Sequence, residues 1–187
     1  MRNLYWVTAI LMFVIVGSAH ADEYQDTVQI FQDAGESATF FDNSYGYAIF
    51  PNIGKGGIGI GGAHGKGRVY ANGEYVGDTT MTQITVGFQL GGQVYSQIIF
   101  FEDERALNEF TSGNFELGAQ ASAVAITAGA SAAATTTGTS AGASGGKRDA
   151  TTVGNYYKGM AIFTVAKGGL MYEASVGGQK FTYTPRS

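Results

Sequence analysis

The chain contains no cysteine and only two prolines, Pro51 and Pro185, in 187 residues. Without Cys there are no disulfides and no thiolate metal sites, so packing and backbone pairing must supply the stability. A lipoprotein anchor, which needs a Cys after the leader, is excluded for the same reason. The scarcity of proline also excludes a Pro/Gly linker composition, so we expect an ordinary folded domain.

Histidine is almost as scarce, with only His20 and His64. A Ser-His-Asp site would have to use His64, which stands in a glycine-rich turn typical of an exposed loop side chain. A metal site would have to rely on carboxylates, and Glu102-Asp103-Glu104 lacks the spacing of a calcium loop but suits the first turn of a helix. We therefore predict a non-enzymatic protein with no metal and no cofactor. A paired-carboxylate hydrolase stays an alternative that no spacing suggests.

The N-terminus has the three parts of a secretory leader. Arg2 precedes an apolar run of 14 residues, Leu4 to Gly17, which is short of the roughly 20 residues that span a membrane. Ala19-His20-Ala21 then forms an A-x-A cleavage site. We predict that residues 1–21 are a signal peptide cleaved near Ala21, and that residues 22–187 form one periplasmic or secreted domain. A retained N-terminal anchor is the alternative.

Charge is distributed unevenly along the predicted mature chain. Residues 22–42 carry six acids and no base, whereas the remainder carries ten bases and nine acids. Binding to nucleic acid needs a clustered basic excess, which this pattern does not provide. We therefore expect no nucleic-acid partner.

The pattern of apolar residues predicts the elements. Residues 23–41 repeat apolar side chains at three- and four-residue steps, as in an amphipathic helix, and residues 102–111 do the same over a shorter length. Asn72-Gly73 is a strong signal for a tight β-hairpin. Strands are expected over 45–50 (ending at Pro51), 56–62, 68–71, 74–77, 79–90, 94–101, 115–129, 156–165, 170–176 and 180–184.

The chain has 29 glycines and abundant aromatic residues in short alternating runs. This composition is typical of sheets with tight turns and bulges. The predicted fold class is mainly β (α+β): a strongly curved antiparallel sheet or barrel-like sandwich, with an N-terminal helix and a short mid-chain helix. The β-rich body covers residues 45–184.

A segment at about 130–148 consists almost wholly of Ala, Thr, Ser and Gly. Such a composition lacks the apolar side chains that a packed core needs, so we predict a flexible surface segment. The alternative is that its first part packs closely against a neighbour.

Gly57, Gly59 and Gly62 satisfy the G-x-G-x-x-G pattern of dinucleotide sites. That fingerprint has to open a helix after a strand, and here a hairpin follows. We interpret these glycines differently: alternate glycines remove one row of side chains from a strand, so that a backbone or a ligand can approach closely.

Three stretches resemble the SYLF-domain family: residues 45–78, 84–123 and 166–178. The resemblance implies lipid binding, and for yeast-type members actin binding. Three features depart from the family pattern. Tyr75-Val76-Gly77-Asp78 stands where the family commonly has Trp-Ser-x-Pro, and the Ala/Thr/Ser segment replaces an expected Gly-Pro-rich one. The helix over 23–41 is acidic where eukaryotic relatives have a basic one. An acidic helix is repelled by an anionic membrane, so that binding mode is not expected here. Actin and phosphoinositides also do not fit an exported chain.

The leading hypothesis is a non-enzymatic, exported envelope protein that binds phospholipid or another envelope lipid. The alternative is a structural or protein-interaction protein that uses exposed β edges. Backbone N–H groups at glycine turns can form anion-binding concavities, so cations beside such turns are the headgroup candidates. The candidate cations are Lys55, Lys66, Arg68 and Lys167, and the candidate turn residues are Gly56, Gly57, Gly168 and Gly169.

Overall fold

The structure is a computed structural model, and it describes residues 19–58, 60–86, 91–118, 121, 123–126, 156–168 and 176–187. These residues form three helices and one eight-stranded sheet. The helices are α1 (Ala19–Asp33), α2 (Gly35–Asn43) and α3 (Glu104–Phe110). The strands are β1 (Gly46–Ile58), β2 (Ile60–Ala71), β3 (Glu74–Val86), β4 (Gly91–Phe101), β5 (Phe115–Glu116), β6 (Val124–Ile126), β7 (Met160–Gly168) and β8 (Lys180–Pro185).

The sheet has the strand order β5-β8-β3-β2-β1-β4-β7-β6 and curls into a half-barrel. The predicted β-rich fold with a strongly curved sheet is confirmed. One detail differs: β6 pairs with β7 in parallel, while the other pairs are antiparallel, so the sheet is mixed. The predicted segment 130–148, the leader up to residue 18 and residues 170–175 of a predicted strand lie outside the described residues.

The sheet packs on both faces. We call the face that carries Phe50 and Phe101 the inner face, and there α3 and Phe181 of β8 complete a large apolar cluster. On the outer face, α1 and α2 pack on a second cluster, in which Phe31 and Phe40 contact strand residues. The outer cluster contains Phe31, Phe40, Ile49, Ile98, Phe100, Ala161, Phe163 and Val165.

The N-terminal helix is broken, where we expected one helix over 23–41. Ala34 is extended (φ −87°, ψ 112°), and α2 starts anew at Gly35. The buried Ser37 hydroxyl donates to the carbonyl oxygen of Phe31 at 2.5 Å, which satisfies a group that the break leaves without its helical partner. The break lets both Phe31 and Phe40 reach the same cluster.

Pro51 does not end the first strand, contrary to expectation. The register of β1 shifts between Ile49 and Asn52 against β2 and between Phe50 and Ile53 against β4, which marks a bulge at the proline. Proline cannot donate to the ladder and is tolerated at such bulges. The hydroxyl of Ser96 donates to the Pro51 carbonyl oxygen at 2.7 Å.

Two local predictions are confirmed. β2 and β3 join through Asn72 and Gly73, both at positive φ (49° and 82°), as a tight hairpin requires. Helix α3 begins after Asp103, whose side chain accepts from the Ala106 amide at 2.8 Å, and its inward residues are buried. These are Ala106, Leu107 and Phe110.

The prediction of a single strand over 56–62 is wrong. This stretch is the end of β1 and the start of β2, and the two strands pair as Gly56↔Gly62, Gly57↔Gly61 and Ile58↔Ile60. The β context that excluded a dinucleotide site is confirmed. Within the described ranges no helix is both long enough and apolar enough to cross a lipid bilayer.

Candidate functional site

At one end of the sheet, the neighbouring strands β3, β2, β1, β4 and β7 carry bases but no acid. We call this end the distal half, and it consists of residues 52–58, 60–66, 80–86, 91–96 and 164–168. It contains Lys55, Lys66 and Lys167 and no Asp or Glu. No carboxylate belongs to these strand segments themselves, so the charges of their own side chains favour anions.

Two of the predicted cations lie on the outer face of the distal half, on either side of Asn52. Lys66 of β2 stands opposite Asn52 of β1 in the antiparallel ladder. From β7, Lys167 donates to the Asn52 side-chain oxygen, with 3.0 Å between Nζ and Oδ1. We call Lys66, Asn52 and Lys167 the cation row.

An anionic oxygen of the chain already sits at this row. The Asn52 amide donates through Nδ2 to the carboxylate of Glu23, near the start of α1. Both Asn52 and Lys167 are exposed, so the contact is open to solvent. The row therefore offers an N–H donor and two ammonium groups to a carboxylate- or phosphate-like oxygen.

Arg68, the third predicted cation, is engaged by aromatic rings. Its guanidinium lies 4.2 Å from the ring centre of Tyr24 in α1 and 5.0 Å from that of Tyr75 in β3. The hydroxyl of Tyr75 donates to the Asp78 carboxylate at 2.6 Å. Burial, together with this bond, raises the pKa of the Tyr75 hydroxyl to about 12. Arg68 thus ties α1 to the hairpin.

Lys55, the fourth predicted cation, does not join the row. It pairs with Ala63 and Gln93 and shares the inner face with Ile53, two residues earlier. The bulge at Pro51 shifts the alternation of β1 by one residue, which places Lys55 inside and Asn52 outside.

The glycines expected to form turns belong to strands. Gly56 and Gly57 lie in β1, which is paired on both sides, and Gly168 is the last residue of β7. Backbone N–H groups inside a sheet are committed to its ladders, so these glycines do not form the predicted anion-binding turn. A Cβ on Gly57 would stand 2.3 Å from the Gly61 Cα, so this position needs glycine. Gly169 lies outside the described residues.

The outer face of the distal half is largely bare. Gly54, Gly62 and Gly92 are exposed there on the neighbouring strands β1, β2 and β4, and we call them the glycine shelf. Three exposed apolar side chains surround the shelf: Ile60 (70% exposed), Ile84 (80%) and Val94 (40%). The sequence indicated a row of side chains missing from one strand, whereas in the structure the positions without side chains lie side by side on three strands.

A buried polar cluster on the inner face was not predicted. Gln97 and Gln179 form a reciprocal amide pair (2.8 and 3.1 Å), and Gln179 also donates to the Tyr95 hydroxyl at 3.3 Å. Burial raises the pKa of Tyr95, which keeps the phenol neutral. The amide of Gln83 donates to the Gly177 carbonyl oxygen at 2.9 Å. The cluster holds the turn before β8 against the sheet. The sequence does not predict this role, because a single Gln in a strand forms no recognisable motif.

The titratable groups do not converge into a reaction centre. In the part of the chain that the structure describes, no acidic or basic side chain is buried, and no three His, Asp or Glu residues are placed to hold a metal ion. His64 is exposed on β2 between Gly62 and Lys66.

Residues 82–185, more than half of the chain, match the family model described as "Las17-binding protein actin regulator" (Ysc84). The chain belongs to this family, the SYLF-domain family. The SYLF chain is also 26% identical, over 156 residues, to "Beta cell expansion factor A" of Aeromonas veronii. That match covers 82% of this chain and 51% of the relative, so the chain spans about half the length of the curated relative it matches.

The family match assigns neither lipid nor a site to individual residues. It covers β4, β7 and β8 and the end of β3, and therefore includes Lys167, Ile84, Gly92 and Val94. Asn52 of β1 and Lys66 of β2, the other members of the cation row, lie before the matched range. The geometry of the distal half is thus the basis for any assignment of function.

Proposed function

We propose that this SYLF protein is a non-enzymatic, exported envelope protein that binds anionic lipid at the cation row. The observation that carries the proposal is the charge of the distal half, where Lys66 and Lys167 flank the Asn52 amide and no strand residue is acidic. A phosphate oxygen could take the place of the Glu23 carboxylate beside Asn52 and receive charge-assisted hydrogen bonds.

The acidic helices give this binding an orientation. Residues 19–43 hold six acids and no base, so an anionic membrane repels the helical layer and attracts the distal half. The membrane mode of relatives with a basic N-terminal helix is therefore not proposed here. The family description names actin, which the predicted export makes an unsuitable partner.

Vesicle co-sedimentation tests the proposal. We expect the purified protein to sediment with vesicles that contain anionic phosphatidylglycerol and to remain in the supernatant when the vesicles are pure phosphatidylcholine. Binding should fall as salt is raised, because screening weakens contacts between exposed charges. Equal binding to both kinds of vesicle, or binding to neither, would contradict it. Mass spectrometry of lipids that co-purify with the protein gives an independent reading.

A second candidate function is protein interaction through a sheet edge. Only Lys180 and Phe181 of β8 pair with β5, so within the described residues Thr182 to Thr184 present the other edge of β8. An extended partner could add to such an edge. Light scattering over a range of concentrations tests self-assembly: a rising mass supports it, and a constant monomer mass counts against it.

A further inference from the structure

The three positions of the glycine shelf carry no side chain, although the surrounding structure has room for one. A Cβ on Gly54 would meet nothing within 4 Å, and on Gly62 or Gly92 its closest contact would be 3.6 or 3.8 Å. The inner-face glycines of β2 differ, because a Cβ on Gly65 or Gly67 would approach a core side chain to 2.6 Å. Glycine inside a strand weakens it and often marks a place where a ligand comes close to the backbone. Packing therefore explains the inner glycines but not the shelf.

The apolar side chains beside the shelf are also unexplained by packing. Ile84 stands opposite Gly62 in the ladder, and Val94 stands opposite Gly54. Together with Ile60 they are among the most exposed large apolar side chains of the described chain. Exposed apolar groups gathered on one patch mark a surface for a partner or a membrane.

The shelf continues the cation row along the strands. Gly54 follows Asn52 by two residues and Ile60 lies at the hairpin end, so the surface changes from cationic to apolar over roughly 10–20 Å at about 3.3 Å per residue. An interfacial surface has this arrangement, with cations at the headgroups and apolar groups in the upper acyl region. A free phosphate or a soluble anion would use the lysines and leave the shelf unused.

We propose that the glycine shelf, with Ile60, Ile84 and Val94, is an acyl-contact surface that enters the interface of an anionic bilayer. The inference rests on the proposed function and adds which part of the molecule meets the hydrocarbon. The bare backbone lets acyl chains lie directly on the sheet, and the isoleucines project into them. A symmetric contact between two shelves would bring the lysines of one copy against the lysines of the other, which favours a lipid surface as the occupant.

Single-tryptophan variants test this orientation. In a Trp6→Phe background, Ile60→Trp and Ile84→Trp each place one tryptophan in the chain, and Ile30→Trp on α1 is a matched control because Ile30 is also exposed (37%). With phosphatidylglycerol vesicles whose acyl chains are brominated, we expect the emission of the Ile60→Trp and Ile84→Trp variants to shift to the blue and to fall by about half, since an interfacial surface lies roughly 5–10 Å deep. The emission of the control should change little.

The outcomes separate this inference from the proposed function. Vesicle binding without quenching at positions 60 and 84, or with equal quenching at position 30, would overturn the acyl-contact surface and leave headgroup binding intact. A lack of any vesicle binding would overturn both. A blue shift that depends on protein concentration without vesicles would show that a second copy covers the patch, and would also overturn the inference. Inorganic phosphate should leave the emission of both variants unchanged.

Discussion

The helical layer and the distal half of the sheet differ in charge and in packing. The helical layer, α1 and α2, carries six acids and no base and buries Phe31 and Phe40 against the outer face. The distal half carries three lysines and no acid, and on the same face it exposes glycine and isoleucine. One region of the outer face is therefore covered and contributes to the core, while the other is exposed.

The largest expected effect is a difference in unfolding free energy between truncations in the two regions. Phe40 contacts Phe100, Phe163 and Tyr156 with ring centres 5.1–5.4 Å apart, so Phe40→Ala should lower the free energy of unfolding by about 3–5 kcal/mol. Ile84→Ala, on the exposed patch, should change it by no more than about 0.5 kcal/mol. Urea unfolding of both variants checks this. Similar losses at the two positions would mean that the distal patch belongs to the core.

The next effect concerns the two classes of glycine. A Cβ on Gly67 would lie 2.6 Å from the Phe50 ring and 2.7 Å from the Ile49 carbonyl oxygen, so Gly67→Ala should cost about 1–3 kcal/mol of stability. Gly54→Ala has open space and should be neutral or slightly stabilising. Thermal unfolding of the pair measures the contrast. A large loss at Gly54 would contradict the claim that the shelf is not needed by the fold.

A smaller effect is expected where the two regions meet. Asn52→Ala removes the contact of the sheet with Glu23 and Lys167, and the loss of such hydrogen bonds should cost about 0.5–1.5 kcal/mol. Amide hydrogen exchange should rise at the start of α1 and stay unchanged at α3. Asn108→Ala, at an exposed position of α3, is the control. Unchanged exchange at α1 would show that the contact does not hold the helix.

The smallest expected effect is a loss of stability that occurs only at alkaline pH. Burial raises the pKa of Tyr47, beneath the helical layer, to about 12 from the ordinary value of 10. Because the folded pKa is the higher one, this tyrosine costs no stability below pH 10, and the fold loses stability as the pH rises from 10 through about 12. Alkaline unfolding followed by circular dichroism should be delayed in Tyr47→Phe. The control Tyr157→Phe, at an exposed tyrosine, should unfold like the parent.

Local chemistry made several features predictable from the sequence. Asn72-Gly73 needs no long-range information to turn the chain, and Asp103 caps α3 from three residues away. The acidic N-terminal helix was also located, although it breaks at Ala34, where the buried Ser37 hydroxyl donates to the Phe31 carbonyl oxygen.

The candidate site was only partly predictable because it depends on register. The sequence points to Lys66 and Lys167, but not to Asn52, which pairs with Lys66 in the ladder and accepts a hydrogen bond from Lys167. The bulge at Pro51 reverses the alternation of β1, so Asn52 points outward and Lys55 inward. Alternate glycines fit a single strand and a hairpin equally well, and only the pairing of Gly56 with Gly62 and Gly92 decides between them.

Charge reversal at the cation row is the decisive test of lipid binding by this surface. Vesicles with phosphatidylglycerol should bind the parent and a Lys158→Glu/Arg186→Glu control of equal net charge, but should bind Lys66→Glu/Lys167→Glu at least about tenfold more weakly, because each base near an anionic surface contributes roughly 1 kcal/mol. Circular dichroism confirms that all three proteins are folded. Equal weakening in both double variants would show that only net charge matters, and unweakened binding of Lys66→Glu/Lys167→Glu would contradict the proposed site.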